Sequence, residues 1–129
     1  MPLKGKVLII DDEPDLLETM SYRLSTAGYD IMTALDGATG LNRAAQDRPD
    51  LVILDVMMPG ADGFEILKKL KETKETRDIP VIVFSCGRQE EEWAKRSLSL
   101  GASGYIVKPF ESDALLFTVD KFVKRRRKG

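Results

Sequence analysis

The residues whose chemistry stands out in this sequence are acidic, hydroxyl-bearing or basic side chains, each at or near the end of a short apolar run. They are Asp11, Asp12, Asp55, Ser85 and Lys108. Carboxylates placed close together repel one another unless a cation lies between them. Oxygen ligands without histidine or cysteine favour Mg²⁺ or Mn²⁺. Three carboxylates, a divalent cation, a lysine and a hydroxyl would form a receptacle for a phosphoryl group, with one carboxylate as nucleophile.

The composition excludes several other kinds of chemistry. The chain has 129 residues, no histidine and a single cysteine, Cys86. Ser-His-Asp and Cys-His catalysis, histidine-ligated metals and an internal disulfide are therefore excluded. The net charge of −1 gives no general reason to expect nucleic-acid or membrane binding. The length of the chain fits one domain. We expect a reducing cytoplasm, because there is a single cysteine and no apolar run reaches signal-peptide or membrane-spanning length.

Five apolar runs alternate with five segments of helical periodicity. The predicted strands are Val7–Ile10, Ile31–Ala34, Leu51–Leu54, Val81–Phe84 and Tyr105–Val107. The predicted helices carry apolar stripes at Leu16 to Leu24, at Ala38, Leu41 and Ala45, at Phe64 to Leu70, at Trp93, Ala94 and Leu98, and at Leu115 to Val123. This alternation indicates a parallel sheet covered on both faces, and right-handed crossovers favour a doubly wound sheet.

The predicted sheet explains why the reactive residues are dispersed along the chain. In open α/β sheets, ligands bind outside the carboxyl ends of the strands, where side chains from different strands converge. Asp62 is a plausible N-cap of the third helix. Glu13 is expected to contribute only to the electrostatics of the first helical turn.

Four motifs make the chain similar to the receiver domain of two-component response regulators. They are LIIDDEPD (residues 8–15), LVILDVMMPGADG (51–63), VIVFSCG (81–87) and GASGYIVKPF (101–110). Each motif is moderately specific, whereas their order and spacing over nearly the whole chain are highly specific. The resemblance implies a flavodoxin-like (βα)5 fold, a three-layer sandwich whose parallel strands have the order 2-1-3-4-5.

The resemblance also implies a metal site and a phosphoacceptor. Asp55 would accept a phosphoryl group from a histidine kinase or a phosphotransfer protein. Asp12 would ligate Mg²⁺, or Mn²⁺, directly, and Asp11 would do so through water. The Asp55 carboxylate and the backbone carbonyl of Met57 would complete the ligand set.

The remaining site residues are implied to bind and report the phosphoryl group. Lys108 would contact the Asp55 carboxylate or its phosphate, and Ser85 would bind the phosphate in the active state. Tyr105 matches the aromatic residue that swings inward when this hydroxyl moves. The Lys108–Pro109 peptide bond is expected to be cis, which would aim the lysine into the pocket.

Three further positions are expected to tune the kinetics. Cys86 stands where a small residue is common, and Met57 and Gly87 lie where side chains can position or block attacking water. Ser85 stands where threonine is most frequent, but it keeps the hydroxyl. None of these side chains supplies a base, so we predict slow self-dephosphorylation, with no phosphoryl loss within seconds.

The resemblance implies a phosphorylation-controlled switch and not a true enzyme, since the domain would catalyse only its own phosphorylation and slow dephosphorylation. Residues 1–124 would form the receiver, and residues 125–129 a basic tail or a truncated linker. The output surface would comprise helix four, strand five and helix five. It would engage a downstream protein, a fused output domain or a second copy of the chain, without membrane or direct nucleic-acid binding.

Two alternatives remain open at this point. One is a pseudo-receiver, an interaction module that is never phosphorylated, although the complete set of Asp11, Asp12, Asp55, Ser85 and Lys108 argues against it. The other is an aspartyl-phosphate hydrolase on a similar sheet. Such an enzyme needs a second acid two residues after its nucleophile, and Met57 occupies that position.

Overall fold

A computed structural model describes residues 3–56, 62–86, 90–108 and 112–128. The strands are β1 (Gly5–Ile10), β2 (Tyr29–Ala34), β3 (Leu51–Asp55), β4 (Val81–Cys86) and β5 (Gly104–Lys108). The helices are α1 (Pro14–Thr26), α2 (Gly37–Asp47), α3 (Gly63–Glu72), α4 (Glu90–Ser99) and α5 (Ser112–Lys128). All ten predicted elements are confirmed. Within the described residues, no helix has both the length and the apolar character needed to cross a bilayer.

The five strands form one parallel sheet in the order β2-β1-β3-β4-β5. The flavodoxin-like fold is therefore confirmed. The chain passes from β1 outward to β2 and then returns to the other side of β1 with β3. Ile10 pairs with Leu54 across these two strands, so their carboxyl ends lie side by side. The change of winding direction falls between them, where ligands bind in doubly wound sheets.

The sheet is covered on both faces, which explains the uninterrupted apolar runs of its central strands. Val7 and Ile9 pack with α1 and α5 on one face, whereas Leu8 and Ile10 pack with α2 and α3 on the other. All four side chains are fully buried. Each such side chain stabilises the fold by roughly 1.5–3 kcal/mol relative to an exposed position. The central strands are consequently a rigid support for whatever follows them.

The predicted ends of two helices are confirmed. Helix α1 ends just before Gly28, whose φ of +104° lies in the left-handed region that favours glycine. Helix α3 begins after Asp62, whose Oδ1 accepts a hydrogen bond from the Phe64 N–H at 3.0 Å. That cap fixes the point at which the chain re-enters helix beyond the third strand.

The inward faces of α2 and α4 differ from the predicted stripes. Ala38 is exposed, and the buried face of α2 is made by Gly37, Gly40 and Ala44. A Cβ on Gly40 would lie 2.5 Å from Cδ1 of Ile10, so the close approach of α2 to the sheet requires glycine. Apolar periodicity misses such a face because glycine carries no hydrophobic side chain.

In α4, an apolar residue of the predicted stripe is exposed and a polar residue is buried. Leu98 is 54% exposed, whereas the neighbouring Ser97 is fully buried and donates a hydrogen bond from its hydroxyl to the Trp93 carbonyl at 2.7 Å. A helical serine satisfied by its own backbone can occupy an inward position. Leu98, a member of the predicted apolar stripe, therefore lies on the exposed face of α4.

Candidate functional site

Two neighbouring strands deliver buried carboxylates to the carboxyl end of the sheet. Asp11 directly follows β1, and its N–H extends the ladder by donating to the Ala34 carbonyl at 3.0 Å. Asp55 is the last residue of β3. The two residues are 0% and 2% exposed. The central strands thus hold both carboxylates in a place that solvent barely reaches.

Four carboxylates converge at this point. One carboxylate oxygen each from Asp11, Asp12, Glu13 and Asp55 lies within 4.8 Å of all the others. Opposite ligands of an octahedral Mg²⁺ are about 4.2 Å apart, so these oxygens can surround one small cation. The donor set contains only hard oxygen atoms, as Mg²⁺ and Mn²⁺ prefer. The residues present therefore fit the predicted metal site.

Glu13, which the sequence indicates only as a contributor to the electrostatics of the first helical turn, also belongs to this acidic cluster. The helix begins at Pro14, so Glu13 is the N-cap residue, and its side chain makes no capping hydrogen bond. Its backbone N–H instead donates to Oδ1 of Asp11 at 3.0 Å. The available signal was Pro14, which favours the first helical position and so leaves Glu13 outside the helix.

Ser85 and Tyr105 meet on the far side of the acidic cluster from β1. Ser85 is fully buried on β4, and its Oγ is hydrogen-bonded to the hydroxyl of the half-buried Tyr105 on β5. The Tyr105 ring also packs against the core beneath α3 and α4. A displacement of the serine hydroxyl would therefore act directly on this tyrosine.

The backbone of Lys108 lies at the end of β5, opposite Cys86 at the end of β4. Both strands thus finish at the same edge of the sheet as Asp11 and Asp55. The side chains of Lys108 and Cys86 lie outside the described part of the structure, as do Met57, Gly87 and Pro109. The roles predicted for these five residues, including the cis peptide bond, stay predictions.

Helix α3 is seated directly on the residue that follows Asp55. A Cβ on Gly63 would lie 2.2 Å from Cα of Val56, a separation that no side chain permits. Val56 is also held by its N–H, which donates to the Phe84 carbonyl at 3.4 Å. The backbone beyond Asp55 is therefore fixed from two sides.

An acid with a structural role, Asp36, lies two residues beyond the end of the edge strand β2. Asp36 is the N-cap of α2, and its Oδ1 accepts a hydrogen bond from the Thr39 N–H at 2.8 Å. This hydrogen bond from the backbone lowers the pKa of the Asp36 carboxyl below its ordinary value. Capping of α2 therefore explains why an acid is found at this position.

Comparison with known proteins agrees with this geometry. The sequence model of the response regulator receiver domain family matches residues 7–120. The chain is 37% identical over 120 residues to the DNA-binding dual master transcriptional regulator RpaA of Synechocystis sp., covering 93% of this chain and 49% of that protein. It is 35% identical over 118 residues to protein PilH of Pseudomonas aeruginosa, covering 90% of this chain and 95% of that protein.

Solved structures show the same architecture. The chemotaxis protein CheY4 of Vibrio cholerae superimposes with a TM-score of 0.84 at 33% identity, covering 92% of this chain and 98% of that one. The chain spans about half the length of RpaA and of the Bacillus subtilis regulator PhoP, to which it is also similar. The acidic pocket of Asp11, Asp12 and Asp55 is consistent with phosphoacceptor function on an aspartate. With this pocket on a five-stranded doubly wound sheet, the chain belongs to the response regulator receiver domain family of two-component signalling.

Proposed function

We propose that Asp55 accepts a phosphoryl group from a histidine kinase or a phosphotransfer protein and thereby switches a protein-interaction surface. The observation that carries this proposal is the convergence of four carboxylate oxygens within 4.8 Å of one another at the ends of β1 and β3. Asp55 sits at the centre of the sheet, where β3 is paired on both sides. A rigid, buried mount suits a nucleophile that must meet phosphorus in line.

The transfer needs little covalent chemistry from the protein. An Asp55 carboxylate oxygen forms a bond to phosphorus while the bond from phosphorus to the donor's histidine nitrogen breaks. The electron pair of the broken bond stays on that nitrogen. Catalysis then consists mostly of positioning and of neutralising charge on the phosphoryl oxygens.

The acidic cluster would hold the divalent cation. Asp12 and Asp55 would ligate Mg²⁺ or Mn²⁺ directly, Asp11 would do so through water, and the Met57 carbonyl would complete the set. Mg²⁺ bound there neutralises negative charge on the phosphoryl group. The fully buried Asp11 carboxylate is oriented by the Glu13 N–H, which keeps one edge of the site fixed.

The switch would begin at Ser85. Its hydroxyl would exchange its bond with the Tyr105 hydroxyl for a bond to a phosphate oxygen, and Lys108 would bind a second oxygen. Tyr105 would then change its packing against the core under α3 and α4. Two discrete packings of one aromatic ring suit a population shift between two conformations.

Receiver domains act with histidine kinases and are linked to output functions. For this chain, we propose α4, β5 and α5 as the output surface, contacting a downstream protein, a fused output domain or a second copy of the chain. RpaA is named as a DNA-binding regulator, whereas this receiver itself would not touch nucleic acid. The division into a receiver (residues 1–124) and a basic tail or linker (125–129) is part of this proposal.

The direct test is incubation of the chain with acetyl phosphate and Mg²⁺, followed by intact mass measurement. We expect one adduct of about 80 Da, the mass of one phosphoryl group, and its loss in Asp55→Ala. Asp30→Asn is the matched control, because Asp30 is an exposed acid on the edge strand, and it should retain the adduct. An adduct that persists in Asp55→Ala would overturn the assignment of the acceptor.

The same preparation separates the two alternatives. A pseudo-receiver would show no adduct at any Mg²⁺ concentration. A hydrolase would lose the adduct within seconds of donor removal, whereas we expect it to persist for much longer because Met57, Cys86 and Gly87 provide no base. Loss of the adduct within seconds would contradict the proposed kinetic role of these positions.

A further inference from the structure

An aromatic contact joins α3 to α4 away from the acidic cluster. The rings of Phe64 on α3 and Trp93 on α4 meet edge to face, with centroids 6.0 Å apart and planes at 79°. The guanidinium carbon of Arg96, one turn further along α4, lies 4.1 Å from the centroid of the Phe64 ring. These three residues are called the Phe64 stack below. Trp93 is the only tryptophan of the chain.

The Phe64 stack is connected to Asp55 through backbone contacts. Val56 follows Asp55, and Gly63, which precedes Phe64, sits where a Cβ would lie 2.2 Å from Cα and 2.9 Å from the carbonyl carbon of Val56. A side chain can absorb a small displacement by changing rotamer, but a contact between two backbones cannot. Movement of Val56 must therefore be passed to the start of α3, where Phe64 lies.

This connection is separate from the Ser85–Tyr105 pair. That pair runs through side chains on β4 and β5, whereas the Phe64 stack runs from β3 through α3 to α4. Both connections nevertheless reach the same buried cluster. Trp93 and Tyr105 pack against this cluster, which contains Phe64 and Val56. Helix α4 thus packs, through Trp93, on a buried cluster that is reached from two sides of the site.

We infer that the Phe64 stack is a second coupling route, by which the state of Asp55 sets the position of α4 independently of Tyr105. Phe64, Trp93 and Arg96 are positioning residues, since none of them belongs to the acidic cluster. This inference rests on the proposed function, because it requires a phosphoryl group, or a mimic of one, at Asp55. The coupling is reciprocal, so a weaker stack must also change the affinity of Asp55 for that mimic.

The expected size of the effect follows from the contacts. Residues that couple two sites without touching either ligand typically change the coupling by about twofold to thirtyfold. The contact of an exposed cation such as Arg96 with an aromatic ring corresponds to a change of about twofold to fivefold in an equilibrium constant. Phe64 makes both the ring contact and the cation contact, so Phe64→Leu should have the larger effect.

The experiment titrates beryllium fluoride, a phosphoryl mimic, in the presence of Mg²⁺ while recording Trp93 emission. The wild-type chain, Tyr105→Phe, Phe64→Leu, Arg96→Met and Lys95→Met are compared. Lys95→Met is the matched control, because Lys95 is an exposed cation adjacent to Arg96 whose partner is Glu91 at 3.6 Å. Acetyl phosphate and intact mass establish separately whether each variant is phosphorylated, and urea unfolding establishes that each is folded.

We expect Tyr105→Phe to keep at least half of the emission change and Phe64→Leu to lose most of it while still being phosphorylated. Half-saturation should shift about twofold to fivefold for Arg96→Met and remain unchanged for Lys95→Met. If Phe64→Leu fails to fold, the paired comparison of Arg96→Met with Lys95→Met decides. Full responses in all phosphorylated stack variants, or loss of the response in Tyr105→Phe, would overturn the second route. Absence of any adduct in the wild-type chain would instead overturn the proposed function and the inference with it.

Discussion

The two ends of the sheet use buried polar groups in opposite ways. At the carboxyl end, Asp11, Asp55 and Ser85 are buried where carboxylates gather within 4.8 Å of one another. At the amino end, Thr76 is equally buried, but its hydroxyl donates to the Leu70 carbonyl at 2.6 Å. One end concentrates like charge, which costs stability without a cation, whereas the other completes backbone hydrogen bonds, which stabilises the fold.

Other contacts at the amino end follow the same rule. The Lys6 N–H donates to Oδ2 of Asp50 at 2.9 Å, and the Asp50 N–H returns a bond to the Lys6 carbonyl at 2.8 Å. The Lys71 ammonium donates to the Ile79 carbonyl at 2.6 Å. The charged groups of Asp50 and Lys71 thus each form a hydrogen bond with a backbone group. Substitutions at the two ends should therefore separate function from stability.

The largest expected effect is at the carboxyl end, in Asp12→Asn. Losing even a group that orients a metal ligand costs about tenfold to a hundredfold in affinity, so Mg²⁺ binding should weaken at least about tenfold. Without Mg²⁺, the variant should unfold at a higher temperature than the wild-type chain, because one of four clustered charges is gone. Calorimetric titration with Mg²⁺ and thermal unfolding in EDTA measure the two quantities.

Asp30→Asn is the control for Asp12→Asn, because it removes one charge from an exposed position on β2. It should leave Mg²⁺ affinity unchanged. Unchanged Mg²⁺ affinity in Asp12→Asn, or a lower unfolding temperature in EDTA, would break the contrast between the two ends.

The next largest effect is at the amino end, in Thr76→Val. This change keeps the shape but leaves the buried Leu70 carbonyl without its donor, at a cost of about 1–3 kcal/mol in the free energy of unfolding. Thr73→Val is the matched control, because its hydroxyl also donates at 2.6 Å to a carbonyl of α3, that of Lys69, but is exposed. It should cost less than about 0.5 kcal/mol.

Urea unfolding compares the two threonine variants, and intact mass after acetyl phosphate treatment checks their function. Both should be phosphorylated as fast as the wild-type chain. Equal stability losses in the two variants would show that burial does not govern the amino end. A slower phosphorylation of Thr76→Val would show that the two ends are not separable.

A smaller effect is expected at the start of β2, in Tyr29→Phe. The buried Tyr29 hydroxyl donates to the Asp120 carboxylate of α5. Burial first, and then the bond to Asp120, raise the pKa of Tyr29 above its ordinary value of 10.0. The folded state therefore favours the neutral phenol, so this contribution is complete below about pH 10 and is lost as the pH rises further.

At neutral pH, Tyr29→Phe should lower the free energy of unfolding by about 1 kcal/mol, the net value of a typical hydrogen bond. The difference from the wild-type chain should shrink above pH 10, as measured by urea unfolding at pH 7 to 11. Tyr22→Phe is the control, since Tyr22 is 73% exposed, and it should show no difference at any pH. A Tyr29→Phe difference that is constant with pH would contradict this account.

The carboxyl end was predictable from the sequence because strand ends and functional residues coincide there. Asp11, Asp55 and Ser85 each follow or end an apolar run, and a parallel sheet brings such ends together. The place of Glu13 in the acidic cluster was not predictable, because the sequence does not show that its carboxylate lies within 4.8 Å of those of Asp11 and Asp55.

The amino end was not predictable, because its contacts depend on tertiary distances. Nothing in the sequence pairs Tyr29 with Asp120, which lie 91 positions apart, or places Ser97 inside and Leu98 outside. The inward glycines of α2 escaped for a related reason, since hydrophobic periodicity cannot register a residue whose function is to leave space. The apolar pattern thus determines where the helices and strands lie along the sequence, whereas close approach and hydrogen bonding determine which face of each helix points inward.

The smallest expected effect tests whether every acid at the carboxyl end costs stability. Asp36 lies at this end, but its bond from the Thr39 N–H lowers its pKa below the ordinary 3.8, so ionised Asp36 should stabilise α2. Asp36→Asn keeps the capping oxygen and removes only the charge. The contribution is present above the unfolded-state pKa and is lost as the pH falls through the folded-state pKa. The variant should therefore unfold at a slightly lower temperature than the wild-type chain at pH 6, and this difference should disappear toward pH 3. A higher unfolding temperature of the variant at pH 6 would instead mean that repulsion from Asp12 and its neighbours, and not the capping of α2, dominates the effect of the Asp36 charge.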